Sequence, residues 1–521
     1  MKNVKKLLCA ILAATLSIVM AVSVAGCSTA KKTPKGVLTI QYFDGGYGRE
    51  WLESAAKKYQ EEHPDFKYNL IPDTQITNTV NTYLKSGQNL ADIYMTQGST
   101  AWTEWVSLGY IENLESVYEA EVNTSSGKRK IKDYMDSDVM KKNYSQRIYG
   151  QGSYYPWMMP WASPGISFAY NETILLSTKH TVNPEGSNFT IGTNWTEPPK
   201  TVSELVAYCT DVLARNDGIK PFSLPFADGM HWLEYFMSVW WAQYQGVYEE
   251  NLQNVSAGDG SYYDFYNFES AEVWKQVGIQ KAIDQWRTLI IDDKGNFKNT
   301  VDNITEHTVQ DAERIFARGE SALVLAGSFS YREMKDYISN KDHVFKMMSL
   351  PLFDDGTKAL KNSDGTTTTN INYFMNDETI FIPSGAVNKD LAKEFLVYLC
   401  NEEMLLDFTM KTGTMRPFDY NPLTSLPDQE WDAYTKSYLD LYFGSDVRLS
   451  NYPANKAVED VSPMYLYKRP TMFGRTATSS IINDMRSMTG KEIMVGEKNS
   501  KNVYTVTKGY FNTWKTELGI D

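Results

Sequence analysis

VLTIQYFDGGYGREWLESAAKKYQEEHPDFKYNLIP, residues 37–72, reads as strand, helix, strand. The opening residues are rich in β-formers and stop at Asp44-Gly45-Gly46. Trp51, Leu52, Ala55, Ala56 and Tyr59 then recur at helical spacing, and Pro64 ends the run. FKYNLIP, residues 66–72, is a second strand. Strands joined through a helix of this length form a βαβ unit with a parallel sheet.

The alternation continues outward. VNTYLKSG reads as a helix, ADIYMTQGS as a buried strand ending in a polar turn, and AWTEWVSLGYIENLE carries the pattern on. From about residue 166, GISFAYNETI is a strand, TVSELVAYCTDVLARN a helix with Thr201 or Ser203 near its cap, and HWLEYFMSVWWAQY an aromatic-rich helix. SAEVWKQVGIQKAIDQWRTLI is a further helix, and residues 308–334 read as helix, strand and helix. VFKMMSLPLF and ETIFIPSGA are strands, and KDLAKEFLVYLCNEEMLLDFTMK is one long helix. A chain of 521 residues with these elements is α/β and too long for one ordinary domain.

The N-terminus reads as a secretory signal. Lys2, Lys5 and Lys6 precede an apolar run over residues 7–26, and Cys27 follows Val24-Ala25-Gly26. These residues resemble the bacterial lipobox, in which the cysteine is diacylated and becomes the new N-terminus. Residues 1–26 are expected to be the signal peptide, and 27–35 the lipidated cysteine and a polar tether. Two acyl chains anchor a protein stably. Of the other cysteines, Cys209 and Cys400 lie in apolar helical patterns and read as buried thiols, with a single bridge as the alternative. The net charge of −13 argues against nucleic acid as a partner, because phosphate binding draws on clustered Lys and Arg.

YYPWMMPWASPGISFAYN, residues 154–171, is too proline-rich in its first half for a helix and too irregular for a simple strand. By this point seven stretches together are similar to one family, the extracellular solute-binding proteins of carbohydrate ABC transporters, the maltose-binding-protein-like group. They are VLTIQYFDGGYGREWLESAAKKYQEEHP, LKSGQNLADIYMTQGS, LGYIENLE, SFAYN, IFARGESALVLAGSFS, NKDLAKEFLVYLCNEE and TGTMRPF, in the family's order over roughly residues 36–420. The chain departs from the family at Phe329, where tryptophan is usual, and in a longer C-terminal region.

The resemblance implies the two-lobed periplasmic-binding-protein fold, type II-like, with ligand between lobes that close by hinge motion. It places residues 36–163 and 349–399 in an N-terminal lobe, and 166–347 and 402–521 in a C-terminal lobe. The chain would cross at about 163–166, return at 347–350 and cross again near 399–402. Residues 154–171 then lead to the first crossover, which makes Trp157 and Trp161 candidate platforms for the C–H face of a sugar ring. Phe329, in Gly327-Ser328-Phe329, matches the family's stacking aromatic. Asp44 and Gln97-Gly98-Ser99 end strands on one sheet edge, where open α/β sheets bind ligands, and suit hydroxyl groups. Trp232 and Tyr235 share a helical face, and Arg416, before Pro417, is expected either to reach the cleft or to form a surface ion pair. Core packing competes with a ligand role for each of these aromatics.

The expected protein is a receptor, not an enzyme. It needs no cofactor or metal, is expected to be a monomer, and passes a carbohydrate, an oligosaccharide by its aromatic content, to ABC permease subunits. His63, His180, His231, His307 and His343 are scattered, and no H-E-x-x-H, G-x-S-x-G or P-loop occurs. A receptor for a peptide, polyamine or sugar phosphate is the second reading, and a surface polysaccharide hydrolase the third.

Overall fold

A computed structural model describes residues 33–97, 102–136, 148–150, 153–230, 232–247, 262, 271–353, 360–361, 367–368, 370–375, 378–449 and 477–518. The signal peptide, Cys27, Gly98, Ser99 and His231 lie outside the described residues.

The strands of the two main sheets are β1 (Val37–Tyr42), β2 (Lys67–Pro72), β3 (Ile93–Gln97), β4 (Met159–Pro160), β5 (Gly165–Asn171) and β6 (Lys220–Ser223). They continue with β7 (Ser321–Gly327), β8 (Phe345–Met348), β9 (Ile371–Phe374), β10 (Glu378–Phe381) and β11 (Val447–Leu449). They form two main sheets, one ordered β2-β1-β3-β10-β4 and the other β6-β7-β5-β9-β11, with β8 also paired to β5. The expected βαβ unit is present: β1 runs parallel to β2 with Val37 opposite Lys67, and parallel to β3 with Ile40 opposite Ile93. Between β1 and β2, helix α1 (Glu50–Glu62) buries Trp51, Leu52, Ala55, Ala56 and Tyr59, the stripe legible in the sequence.

Each sheet is the centre of a lobe, and three crossovers join them. The first is residues 161–164, between β4 in one sheet and β5 in the other. It is bonded to both others, since Met375 N donates to Pro164 O at 2.9 Å and Ser163 N to Met415 O at 2.9 Å. The return occurs between β9 and β10, not at 347–350, because β9 lies in the second sheet, where Tyr373 and Phe374 pair with β5 and residues 371–373 with β11. The third crossing lies beyond residue 412, not near 399–402. Helices α2 (Lys389–Tyr398) and α3 (Glu402–Thr412) both pack on the first lobe, and the chain then passes Ser163 at Met415. The expected segment 349–399 is therefore shared between lobes, and the start of the expected 402–521 segment belongs to the first. Apolar runs such as INYF show that a strand is buried but not which sheet receives it.

Two local expectations also change. The long helix over 389–411 breaks at Cys400-Asn401, where Asn401 adopts an extended conformation before Glu402 and Glu403, acids suited to a new helix start. The tether ends on the lobe, because Thr33 is buried with its hydroxyl donating to Asp92 and Pro34 O accepts from Asn388. Cys209 and Cys400 are free and buried. Burial pushes the Cys400 thiol up to about 11, with the nearby Arg416 charge opposing.

The C-terminal helices belong to the second lobe. Helix Gly490–Val495 packs on helix Val277–Ile290, Arg287 Nε donates to Met485 O at 3.1 Å, and Gly490 N donates to Asp284 at 2.7 Å. A Cβ at Gly490 would stand 1.9 Å from the Gln280 carbonyl oxygen. Gly490→Ala is thus expected to cost about 1–3 kcal/mol by overpacking, read as a lower urea midpoint. An unchanged midpoint would mean that the two helices part at no cost.

Candidate ligand-binding site between the lobes

Parallel strands of both sheets end at the seam between the lobes. From the first lobe, β1 runs into Phe43-Asp44-Gly45-Gly46 and β3 ends at Gln97. From the second, β7 ends at Gly327 and leads through Ser328 and Phe329 into the helix Ser330–Met334. The lobes meet closely here. A Cβ on Gly46 would lie 2.7 Å from the Phe329 ring and 2.8 Å from Glu333 Oε1, so only glycine lets this loop seat on the opposite lobe. Arg332 and Glu50 form an ion pair across the seam at 2.9 Å.

An aromatic cluster fills the floor. Tyr47 lies 5.2 Å from Phe329 and 4.8 Å, edge on, from Trp161, and Trp232 lies 6.3 Å from Phe329. The Tyr47 hydroxyl donates to Glu378 Oε1 at 2.8 Å, tying the β1–α1 loop to β10. Tyr235 is half-buried and stacks on Tyr373 of β9 at 4.8 Å.

The structure therefore brings together Phe329 and Trp232, both largely buried at 6% and 8% exposure, and the strand ends bearing Asp44 and Gln97. Asp44 and Gln97 keep partial exposure, and among the described residues nothing donates a hydrogen bond to the Asp44 carboxylate. Burial first, then the Asp44 charge, raises the neighbouring Tyr42 phenol to about 12. The Gln97 carbonyl accepts from Thr77 at 2.7 Å, which leaves its side-chain amide outside that bond.

Other expected contacts are used by the protein itself. Trp161 is 1% exposed, stacked on Trp51 at 5.9 Å, edge-on to Phe408, and donates from Nε1 to Thr96 O at 3.1 Å. It is a wedge in the first crossover, with no ring face open for a sugar. Trp157 is 2% exposed in a separate core with Tyr94, Trp105 and Phe381. Arg416 is fully buried: Nη1 donates to Leu399 O, and the guanidinium sits 5.3 Å over Phe418. It braces the third crossover against the end of α2 and does not reach the cleft. Ser328 bonds Thr414 through its hydroxyl at 2.8 Å, and Gly327 O accepts from Tyr434 at 2.8 Å, so both residues hold the crossover. Tyr47, Tyr373 and Glu378 were not singled out from the sequence. The glycines flanking Tyr47 were its one local signal.

Among the described residues, no group of three or more His, Cys, Asp or Glu side chains is placed to hold a metal ion. No helix among them is long and apolar enough to cross a membrane. Asp292, in the acidic loop 292–296, accepts from the backbone N–H groups of Lys294 and Asn296, which makes it a turn cap.

Two α/β lobes, three crossovers and an aromatic-floored seam at the strand ends define a protein that holds a solute between hinged lobes. The chain belongs to the bacterial extracellular solute-binding protein family, whose model matches residues 54–435. A search of curated protein sequences finds no match. Among solved structures, the chain is similar to an ABC transporter solute-binding protein from Thermotoga lettingae bound with α-D-tagatose. That pair shows 14% identity, coverage of 92% of this chain and 99% of the other, and a TM-score of 0.56. The GacH receptor of Streptomyces glaucescens, solved unliganded and with acarbose, is 13% identical over 94% of this chain and 99% of its own, with a TM-score of 0.54. Maltose-bound MalE3 of T. maritima is 16% identical over 86% and 98%, with a TM-score of 0.52. At these identities the likeness is one of fold.

Proposed function

We propose that the protein is a lipid-anchored receptor that captures a carbohydrate, an oligosaccharide by preference, and delivers it to an ABC permease. The observation that carries this reading is the seam itself, with Phe329 and Trp232 grouped on the second lobe and Asp44 and Gln97 at strand ends of the first. An aromatic face takes the weakly positive C–H groups of a pyranose, while a carboxylate and an amide take its hydroxyls. The solved structures of similar fold hold acarbose, tagatose and maltose, which agrees with a sugar. Anchoring through Cys27 rests on the lipobox-like Val24-Ala25-Gly26-Cys27, on the extracellular face of the bacterial cytoplasmic membrane. The receptor performs no chemistry. Differential affinity for the closed form is what the permease would read.

The test is calorimetric titration of the full chain with raffinose, maltose, acarbose and tagatose, followed by analysis of each mixture for shorter products. Saturable binding of one of these without cleavage is expected. No binding to any sugar would favour a non-sugar solute, and cleavage would make the protein a hydrolase.

A further inference from the structure

The seam covers two acids that the ligand reading leaves unused. Glu313, on the helix Val309–Ala317, is 2% exposed, and its Oε1 has no hydrogen-bond partner among the described residues. Its carboxyl group stands beside that of Glu333, which is half-buried on the helix Ser330–Met334. The first lobe roofs Glu333, because the Gly46 backbone sits so close that a Cβ there would be 2.8 Å from Oε1.

The charges around the pair leave it uncompensated. On its own helix, Arg332 is engaged by Glu50 of the first lobe. Arg314, next to Glu313, is engaged by Asp311. Lys335 follows on the same chain segment, and Asp432 and the Tyr434 phenol stand on the side of the helix Ala433–Gly444. Among the described residues neither Glu313 nor Glu333 makes an ion pair. Two adjacent carboxylates, Glu313 buried and Glu333 half-buried, repel each other when both are ionised, which favours keeping one proton on the pair.

We propose that the Glu313–Glu333 pair couples lobe closure to proton uptake, so that the closed receptor is favoured on the acid side of neutrality. The proposal rests on the reading of the seam as a cleft that opens and closes, but not on the identity of the ligand. When the lobes part, Gly46 leaves Glu333, the half-buried carboxyl group becomes fully hydrated, and the proton passes to solvent. In the closed form burial raises both acids, Glu333 to about 7, and for Glu313 the neighbouring Glu333 charge adds to the rise. A group whose pKa is raised in one state favours that state below the raised value and stops doing so as pH climbs through it. Each pKa unit between the two forms is a tenfold change in their ratio.

The experiment is a spin-label distance measurement on the full chain without ligand, with Leu108→Cys and Ile191→Cys as labelling sites and Cys9 and Cys27 replaced by serine. Leu108 lies on the first lobe and Ile191 on the second, 52% and 57% exposed. The closed-to-open ratio is expected to fall at least about tenfold between pH 6 and pH 8. Glu333→Gln, which keeps the shape and removes the titration, should flatten the change to below about twofold. Glu313→Gln supplies the same comparison should Glu333→Gln fail to fold, as judged by its thermal melt. A ratio independent of pH in the parent, or a pH response unchanged in the folded variant, overturns the coupling. No sugar is present, so a flat result leaves the carbohydrate reading standing, and a failure to bind sugars leaves the proton result standing.

Discussion

Replacing Trp161 with alanine is expected to destabilise the protein by about 3–5 kcal/mol, the range for removing a large buried aromatic side chain. The ring is 1% exposed and wedged among Trp51, Tyr47 and Phe408 in the first crossover. Its loss opens a cavity in rigid surroundings. It also removes the Nε1 donor to Thr96 O, leaving a buried carbonyl with one partner fewer. The crossover strand holds the other two through Ser163 and Pro164, so the neighbouring segments cannot collapse into the gap without moving the hinge. Urea unfolding, with the midpoint compared at constant m, measures the effect. A loss below about 1 kcal/mol together with abolished sugar binding would instead mean that the ring faces ligand.

Phe329→Ala carries the largest expected effect on affinity, a rise in Kd of about 10- to 100-fold for the sugar identified by titration. Phe329 stands where the second lobe touches the first, 5.2 Å from Tyr47 and 6.3 Å from Trp232. Truncation removes the aromatic face and loosens the seat of the Gly46 loop. Phe329→Trp restores the residue usual in the family the chain resembles and should keep affinity within a few-fold of the parent. Calorimetry on both variants, after a thermal melt confirms folding, separates the outcomes. An unchanged Kd in folded Phe329→Ala would remove this residue from the site.

The two predictions differ because tertiary packing treats two similar-looking aromatic positions differently. Both lie beside a crossover or a strand end, in segments singled out from the sequence. Trp161 is closed off by Trp51, whose helix begins more than a hundred residues earlier, while Phe329 stays at the junction of the lobes. Arg416 shows the same effect. Arg-Pro beside a cleft reads as a ligand contact, yet the Leu399 carbonyl and the Phe418 ring hold it in the interior.

Local sequence pattern was enough to specify the secondary-structure elements and the parallel βαβ unit with its buried helical stripe. Each depends on periodicity or turn chemistry within a few dozen residues. Tertiary packing placed residues 371–374 in the second sheet, put Trp157 and Trp161 in different cores, and set the half-buried Glu333 beside the buried Glu313. Those outcomes depend on partners far apart in the chain, such as Tyr47 with Glu378 across 331 positions. A residue's own neighbours in sequence set its conformation, whereas which of its faces meets water is set by whatever the rest of the chain packs against it.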